Sequence, residues 1–369
     1  MCVVDDLDER QIPCIVGNCR VAFLDERAGD QFPGANDRFT GWIGTHFSGT
    51  GTDDQEYKWE CSSIHKRKLL KLGMNRRHFL QTGLAVSTSA MALSSFAQPD
   101  KKYKMGLQLF TIRAPMAKDP KDTLKKVSAL GFQDTETYGF DPDKVGYYGF
   151  TAADFKKVLE DNQLTTTSGH YDFAKYFNSS DDELKRYVDQ CIKGAHITGQ
   201  PYITWPWLDE SSRTLEKFKI LAGKLNMMGE QIRKAGLTLA YHNHNFEFID
   251  HDGHNGYEIV MNETDPELVK LQIDLYWVMH SSKLTPHELF MKQPGRFVMW
   301  HVKDMDKKTR DYTELGNGSI DYKPILPDSQ LAGMKYYYLE QGGNFAKDPM
   351  QSITDSAAFW KKNLESYLK

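Results

Sequence analysis

Cysteine is scarce where it could matter. The chain of 369 residues has five, and four of them, Cys2, Cys14, Cys19 and Cys61, fall in the first 73 residues, so that only Cys191 lies beyond. A disulfide framework is thereby excluded for everything after residue 73, and stability there must come from core packing. Charge of one sign is not in excess either: 46 Lys and Arg stand against 50 Asp and Glu, a formal net charge of -4. Nothing in that balance favours nucleic acid or an anionic membrane as partner. No low-complexity tract or internal linker interrupts the chain after Tyr103, and no G-x-G-x-x-G follows the first strand candidate. The missing glycine pattern weakens a nicotinamide-binding reading.

The N-terminal quarter differs from the rest. Residues 1–73 are rich in Gly and Asp without sustained periodicity, and the Cys14-x4-Cys19 spacing matches no zinc pattern. At Met74 the sequence turns to Asn75-Arg76-Arg77-His78-Phe79-Leu80, a modestly apolar Gly83 to Leu93, and Ser95-Phe96-Ala97. A charged start, an apolar segment too short to stay in a bilayer and a small-x-small cleavage site form, in order, a twin-arginine export signal. The expectation is an upstream extension over 1–73, a signal peptide over 74–97 with Met74 as initiator, and a mature periplasmic domain over 98–369 with no stable membrane span.

Within that domain strand-like and helix-like segments alternate. Strand candidates are Met105 to Thr111, Gln133 to Thr137, Thr165 to His170, Tyr202 to Trp205, Leu237 to His242, Val269 to Asp274, Phe297 to His301 and Tyr336 to Glu340. Asp119-Pro120 opens a helix that Gly131 ends, Thr151 caps the next, and Ser180-Asp-Asp-Glu183 forms a capping box. A long amphipathic stretch from Thr214 to Ala235 stops at Gly236. Eight strand and helix repeats in about 270 residues predict a single α/β domain, a (β/α)8 TIM barrel.

Residues at the C-terminal ends of barrel strands face the active site. Those ends carry Gln108 and Thr111, Glu136, His170, Trp205 with Trp207, His242 with His244, Asp274, His301 with Lys303, and Glu340. Two imidazoles and two carboxylates among them make a mixed N/O set suited to manganese, zinc, cobalt or iron. Trp205 and Trp207 offer apolar faces to a pyranose ring. Basic residues near the rim are few and no phosphate cradle is evident. His251-Asp-Gly-His254 reads as a turn.

The stretches Gly106-Leu-Gln-Leu-Phe-Thr111, Tyr241-His-Asn-His-Asn-Phe-Glu-Phe248, Ile273-Asp-Leu-Tyr-Trp277, His301-Val-Lys-Asp304 and Glu314-Leu-Gly-Asn-Gly-Ser-Ile-Asp321 resemble the sugar phosphate isomerase/epimerase family of xylose isomerase-like TIM barrels, in its exported Bacteroidetes-type form. The resemblance implies one divalent metal, manganese first, held by His242, Asp274, His301 and Glu340. It further implies Glu340 as base, with Glu136, His170, Lys303 or Glu247 as its counterpart, and Gln108, His244, Trp205, Trp207 and Glu247 around the substrate. One departure stands out. The tagatose-epimerase branch supplies a metal-binding glutamate from the fifth strand, where this chain has His242.

The chemistry so implied is proton abstraction beside a sugar carbonyl through an enediolate, giving isomerisation or epimerisation. Expulsion of a β-leaving group would make the same site a lyase on 3-keto-glycosides, and a non-catalytic sugar-binding protein is the alternative from another class. The expected partner is a free sugar or glycoside rather than nucleic acid, and a homodimer is compatible with such barrels.

Overall fold

The computed structural model describes residues 103–368. The expected extension and export signal lie outside the described residues. Eight short parallel strands close into a barrel: β1 Met105–Gln108, β2 Asp134–Thr137, β3 Thr165–His170, β4 Tyr202–Trp205, β5 Thr238–His242, β6 Val269–Asp274, β7 Met299–Val302 and β8 Tyr336–Leu339. Each pairs with its sequence neighbours, and β1 closes the ring on β8 through Met105 opposite Tyr337. The predicted barrel is therefore the observed one.

The strands are short because each must hand over to a helix that packs outside. Asp119 caps Pro120–Ala129 by accepting from the Asp122 amide at 3.0 Å. Ser180 and Glu183 form a reciprocal capping box on Asp181–Thr198, which ends at Gly199 with φ +84°. In Leu215–Lys234 the buried residues Phe218, Leu221, Ala222, Leu225, Met228 and Ile232 recur at helical spacing and face the barrel. Gly229 lets that helix come close, since a Cβ there would stand 2.7 Å from the Leu268 carbonyl oxygen.

The boundaries of five strands differ from expectation, and two of the differences bear on the site. β1 stops at Gln108 rather than Thr111, because the Gln108 side chain accepts from the Phe110 amide at 3.0 Å and starts a 3-10 turn over Leu109–Ile112. Thr111 is thus no strand-end residue; its hydroxyl accepts from the Gln341 amide at 3.1 Å. Glu340 sits one residue past β8, its amide donating to the Val302 carbonyl at 3.1 Å. A three-stranded antiparallel patch over Phe140–Asp141, Gly146–Tyr147 and Phe150–Thr151 follows β2 and had no sequence signal. His251 and His254 form an antiparallel bridge around Asp252 and Gly253, the turn that was expected.

Inside the barrel a small apolar cluster of Ala240, Val298, Met299 and Tyr338 lies towards the strands' N-terminal ends. Beside it sits a charged exception. Asp134 is buried, accepts from Thr165 Oγ1 at 2.7 Å and also from Thr167, whose hydroxyl is 2.6 Å from Tyr338 OH. Burial outweighs those hydroxyls and pushes the carboxyl from 3.8 up to about 6. The folded state thus holds this proton more tightly than the unfolded chain. Its contribution is complete below pH 3.8 and is lost as pH rises through about 6. Asp134→Asn is therefore expected to stabilise the protein by about 2–3 kcal/mol at pH 7, and hardly at all at pH 4, with urea melts at the two pH values as the check.

Candidate active site

At the C-terminal mouth, β6, β7 and β8 deliver Asp274, His301 and Glu340 as neighbours across the sheet, His301 pairing directly with Asp274. One ligand-type atom from each of the three lies within 4.8 Å of the others, and the same holds for His170, His242 and His301, so His301 is common to both groups. His242 joins the first group through Nε2, 3.6 Å from Asp274 Oδ2. All four of the expected metal ligands are therefore in one place. Lys303 enters it too, with Nζ 2.6 Å from Asp274 Oδ2 and 2.8 Å from Glu340 Oε2.

Glu136 organises this group from the opposite side. Its Oε2 accepts from Gln108 Nε2 at 2.6 Å and lies 2.5 Å from His301 Nε2 and 3.2 Å from His170 Nε2, while Oε1 accepts from Gln272 Nε2 at 2.5 Å. Burial would raise this carboxyl, but His170 and His301 outweigh it and bring it down to about 2. His301 lies between two carboxylates, with Nδ1 2.5 Å from Glu340 Oε2. Burial alone would lower its pKa, yet Glu136 and Glu340 push it up to about 9. Glu340, facing Lys303 and His301, is held well below the usual range despite its burial.

His170 is different. Burial lowers its pKa against the pull of Glu136, which favours the neutral ring. Its Nε2 is 2.7 Å from Gln272 Oε1, an acceptor, and therefore carries the hydrogen. Nδ1 is left as an unprotonated base. Gln272 had been overlooked in the sequence, although it stands two residues before Asp274 on the same face of β6.

Around this centre runs an aromatic rim. Trp207 is 43 % exposed and meets His244 edge-on at 4.9 Å, while the Arg213 guanidinium lies 4.6 Å above Trp207 and 4.0 Å above Phe246. Trp205, by contrast, is fully buried: it stacks on Phe173 at 5.3 Å and donates from Nε1 to the Trp207 carbonyl at 2.7 Å. Its expected place against substrate is corrected to core packing. Glu247 is also fully buried, accepting from Tyr241 OH at 2.7 Å and the His244 amide at 2.8 Å, and burial pushes it up to about 7. It shapes the loop that presents His244. Trp277, three residues after Asp274, lies 6.0 Å from His244, and both Trp277 Nε1 and His244 Nδ1 are buried without a hydrogen-bond partner. Tyr312 packs on Trp277 at 5.8 Å and places its ring 5.9 Å from Lys303 Nζ. No sequence pattern pointed to Tyr312.

Residues 124–362 match the xylose isomerase-like TIM barrel family. The chain belongs to that family. Among curated proteins it is similar to an inosose dehydratase of Lacticaseibacillus casei, 25% identical over 142 residues that make up 34% of this chain and 47% of that protein. The chain thus matches about half the length of that relative. Among solved structures, a sugar phosphate isomerase/epimerase from Parabacteroides distasonis superposes with a TM-score of 0.64 at 23% identity, covering 75% of this chain and 99% of that one. A protein crystallised with a bound zinc atom, IOLI, superposes at 0.57 with 15% identity, over 72% of this chain and 99% of the other. These likenesses establish the fold.

The donor set fits a divalent ion on its own chemistry. It combines two carboxylate oxygens and an imidazole nitrogen, Asp274 and His301 buried and Glu340 at the edge, with His242 beside them carrying an Nδ1 that has no hydrogen-bond partner. Glu136 further favours this arrangement, because by binding His301 Nε2–H it leaves Nδ1 turned towards Asp274 and Glu340.

The loop over Glu314–Asp321 gains a role from the structure. Asp304 Oδ2 accepts from the amides of Gly316 at 2.8 Å and Gly318 at 3.1 Å, and Oδ1 from Met305 at 2.8 Å and Ile320 at 3.2 Å. Gly318 must lack a side chain, since a Cβ would stand 2.1 Å from Asp304 Oδ1. Glu314 anchors the loop's start by accepting from the Ala346 amide at 2.9 Å and Ser352 Oγ at 2.5 Å. Asp304→Ala should cost roughly 2–4 kcal/mol by stranding these amides. Hydrogen exchange read by mass spectrometry would then speed up over residues 316–320 while the barrel strands keep their protection.

Proposed function

We propose that the protein is an exported, metal-dependent sugar isomerase or epimerase that removes a proton from carbon beside a carbonyl. One observation carries this reading: His170, whose Nε2–H is taken up by Gln272 Oε1, shares a cluster with His301, which also belongs to a donor set suited to a divalent ion. Asp274, His301 and Glu340, with His242, would hold that ion, which supplies a Lewis acid for the carbonyl oxygen. The names of the similar isomerase/epimerase structure and of the zinc-binding structure support it. Export rests on the twin-arginine pattern at Arg76-Arg77.

The chain's own residues divide the work. His170 Nδ1 takes the proton, and Glu136 Oε2, 3.2 Å from the other ring nitrogen, steadies the imidazolium that results. Glu340 is already compensated by Lys303 and His301, which makes it a weaker base than His170. Lys303 is the adjacent protonated donor. Return of the proton to the neighbouring carbon gives isomerisation, and return to the opposite face gives epimerisation. Trp207 and His244 offer a ring face and a buried nitrogen to a sugar.

A second reading has its own support. The similar inosose dehydratase is named for removing water from a cyclic polyol ketone. Proton removal beside a carbonyl followed by loss of a β-oxygen is elimination, and a 3-keto-glycoside would lose its aglycone in the same way. Only the fate of the carbanion separates the two.

The full chain, supplied with manganese or zinc, is to be incubated in heavy water with free sugars, cyclic polyol ketones and 3-keto-glycosides and followed by proton NMR. Deuterium is expected at the carbon beside the carbonyl. A rearranged sugar selects the isomerase, and a dehydrated product or a released aglycone selects the lyase. His170→Gln is expected to slow exchange by about 10²–10⁴-fold. No exchange on any substrate, with sugar still bound after chelation, would instead mark a non-catalytic binding protein.

A further inference from the structure

Lys303 lies where a cation is required. Its Nζ bridges Asp274 Oδ2 at 2.6 Å and Glu340 Oε2 at 2.8 Å, and the side chain is 3% exposed. Those two oxygens belong to carboxylates of the Asp274, His301 and Glu340 group, so ammonium and metal ion would use the same acceptors. The position is built rather than incidental. The Lys303 amide donates to Tyr322 OH at 3.2 Å, the same hydroxyl donates to the Lys303 carbonyl, and Asp304 next to it is pinned by four backbone amides. With its main chain clamped at both sides, the side chain starts from a fixed point 3 % exposed to solvent.

Three carboxylates converge here, Glu136 and Asp274 buried and the Glu340 side chain 8% exposed, and His301 faces two of them. Among the described residues, only Lys303 Nζ and His242 Nε2, the latter at 3.6 Å, lie within ion-pair distance of Asp274. Without a cation between Asp274 and Glu340, two like charges would meet in a dry site.

We propose that Lys303 is the exchangeable resident cation of this site: its ammonium and a divalent ion compete for Asp274 and Glu340, so that metal entry displaces the ammonium and metal loss is covered by it. The inference rests on the metal reading above. It explains how the chain can keep its buried carboxylates compensated before metal is loaded, and it sets the cost of loading. Once displaced, the ammonium keeps the Tyr312 ring, 5.9 Å away, as a neighbour.

The test compares the chelator-stripped full chain with Lys303→Met and with Lys303→Gln, which keeps a neutral donor. Zinc and manganese affinities are measured by equilibrium dialysis and thermal unfolding is recorded with and without metal. Both variants should bind metal about tenfold or more tightly than the parent. Their stripped forms should melt at lower temperature, and metal should close the gap. Metal affinity equal to or weaker than the parent's, with Asp274→Asn abolishing binding, would overturn the inference and leave the metal reading standing. Absence of divalent-ion binding in every chain would remove both. Should the variants not fold, the parent chain still decides: amine labelling of Lys303, read by mass spectrometry, should rise on metal loading, and equal labelling in the two states would refute displacement.

Discussion

Three carboxylates buried in one barrel mouth have to be compensated, and most of the site's geometry follows from that requirement. Glu136 meets it with two amides and two imidazoles, Glu340 with His301 and Lys303, and Asp274 with Lys303 and the Trp277 backbone amide. In water such a group would be cheap to separate. In a buried site each unpaired charge costs several kcal/mol, so the residues are obliged to meet even before a ligand arrives. The same economy sets the chemistry: His301 is committed on both nitrogens, Glu340 is saturated, and His170 is the imidazole whose burial wins over its acidic neighbour.

The barrel makes this convergence affordable, because parallel strands present their last inward residues at one end. How far that was readable varies by residue. His242, Asp274 and His301 were legible because each closes an apolar run of strand length, and a strand's direction in a barrel then fixes where its end must lie. Glu340 was legible for the same reason despite standing one residue outside its strand. Roles were less legible than places. Glu136 and His170 both stand at strand ends, yet one accepts from Gln108, Gln272 and His301 while burial lowers the pKa of the other, and only the neighbours decide which. Trp205 and Trp207 show the limit more sharply. Two residues apart, one faces Phe173 in the core and the other opens to solvent, because β4 ends at Trp205 and the strand's alternation no longer governs Trp207. Tyr312 reaches Lys303 from a hairpin formed by Asp304–Met305 and Tyr312–Thr313, a tertiary arrangement with no local signature.

The His301-Val-Lys-Asp304 stretch illustrates how one short segment can serve several ends. His301 points to the carboxylates, Lys303 bridges two of them, and Asp304 turns the other way to gather the amides of the glycine-rich loop. Alternation along an extended strand explains why His301 and Lys303 share a side. It also explains why Asp304 cannot join them and instead ties the loop after β7 to the site's floor. The loop glycines follow from that tie, because a side chain at Gly318 would collide with the carboxylate that holds it.

The replacement of a glutamate by His242 on β5 acquires a physical meaning in this setting. A fourth carboxylate beside Asp274 would add one more buried negative charge to a mouth whose two cationic groups, His301 and Lys303, already serve three. A neutral imidazole contributes a nitrogen donor without that charge, and burial together with the neighbouring His301 keeps His242 neutral. The exchange has a consequence for acid–base chemistry. Where two glutamates flank a substrate, either can move the proton; here one of those places is filled by a ring whose basicity burial suppresses. On the proposed reading proton transfer would fall to β3, where His170 has its Nε2–H directed at Gln272 and a carboxylate within 3.2 Å to support the charged form. On that reading His242 and His170 complement one another, the first offering a nitrogen donor on the fifth strand and the second a base on the third.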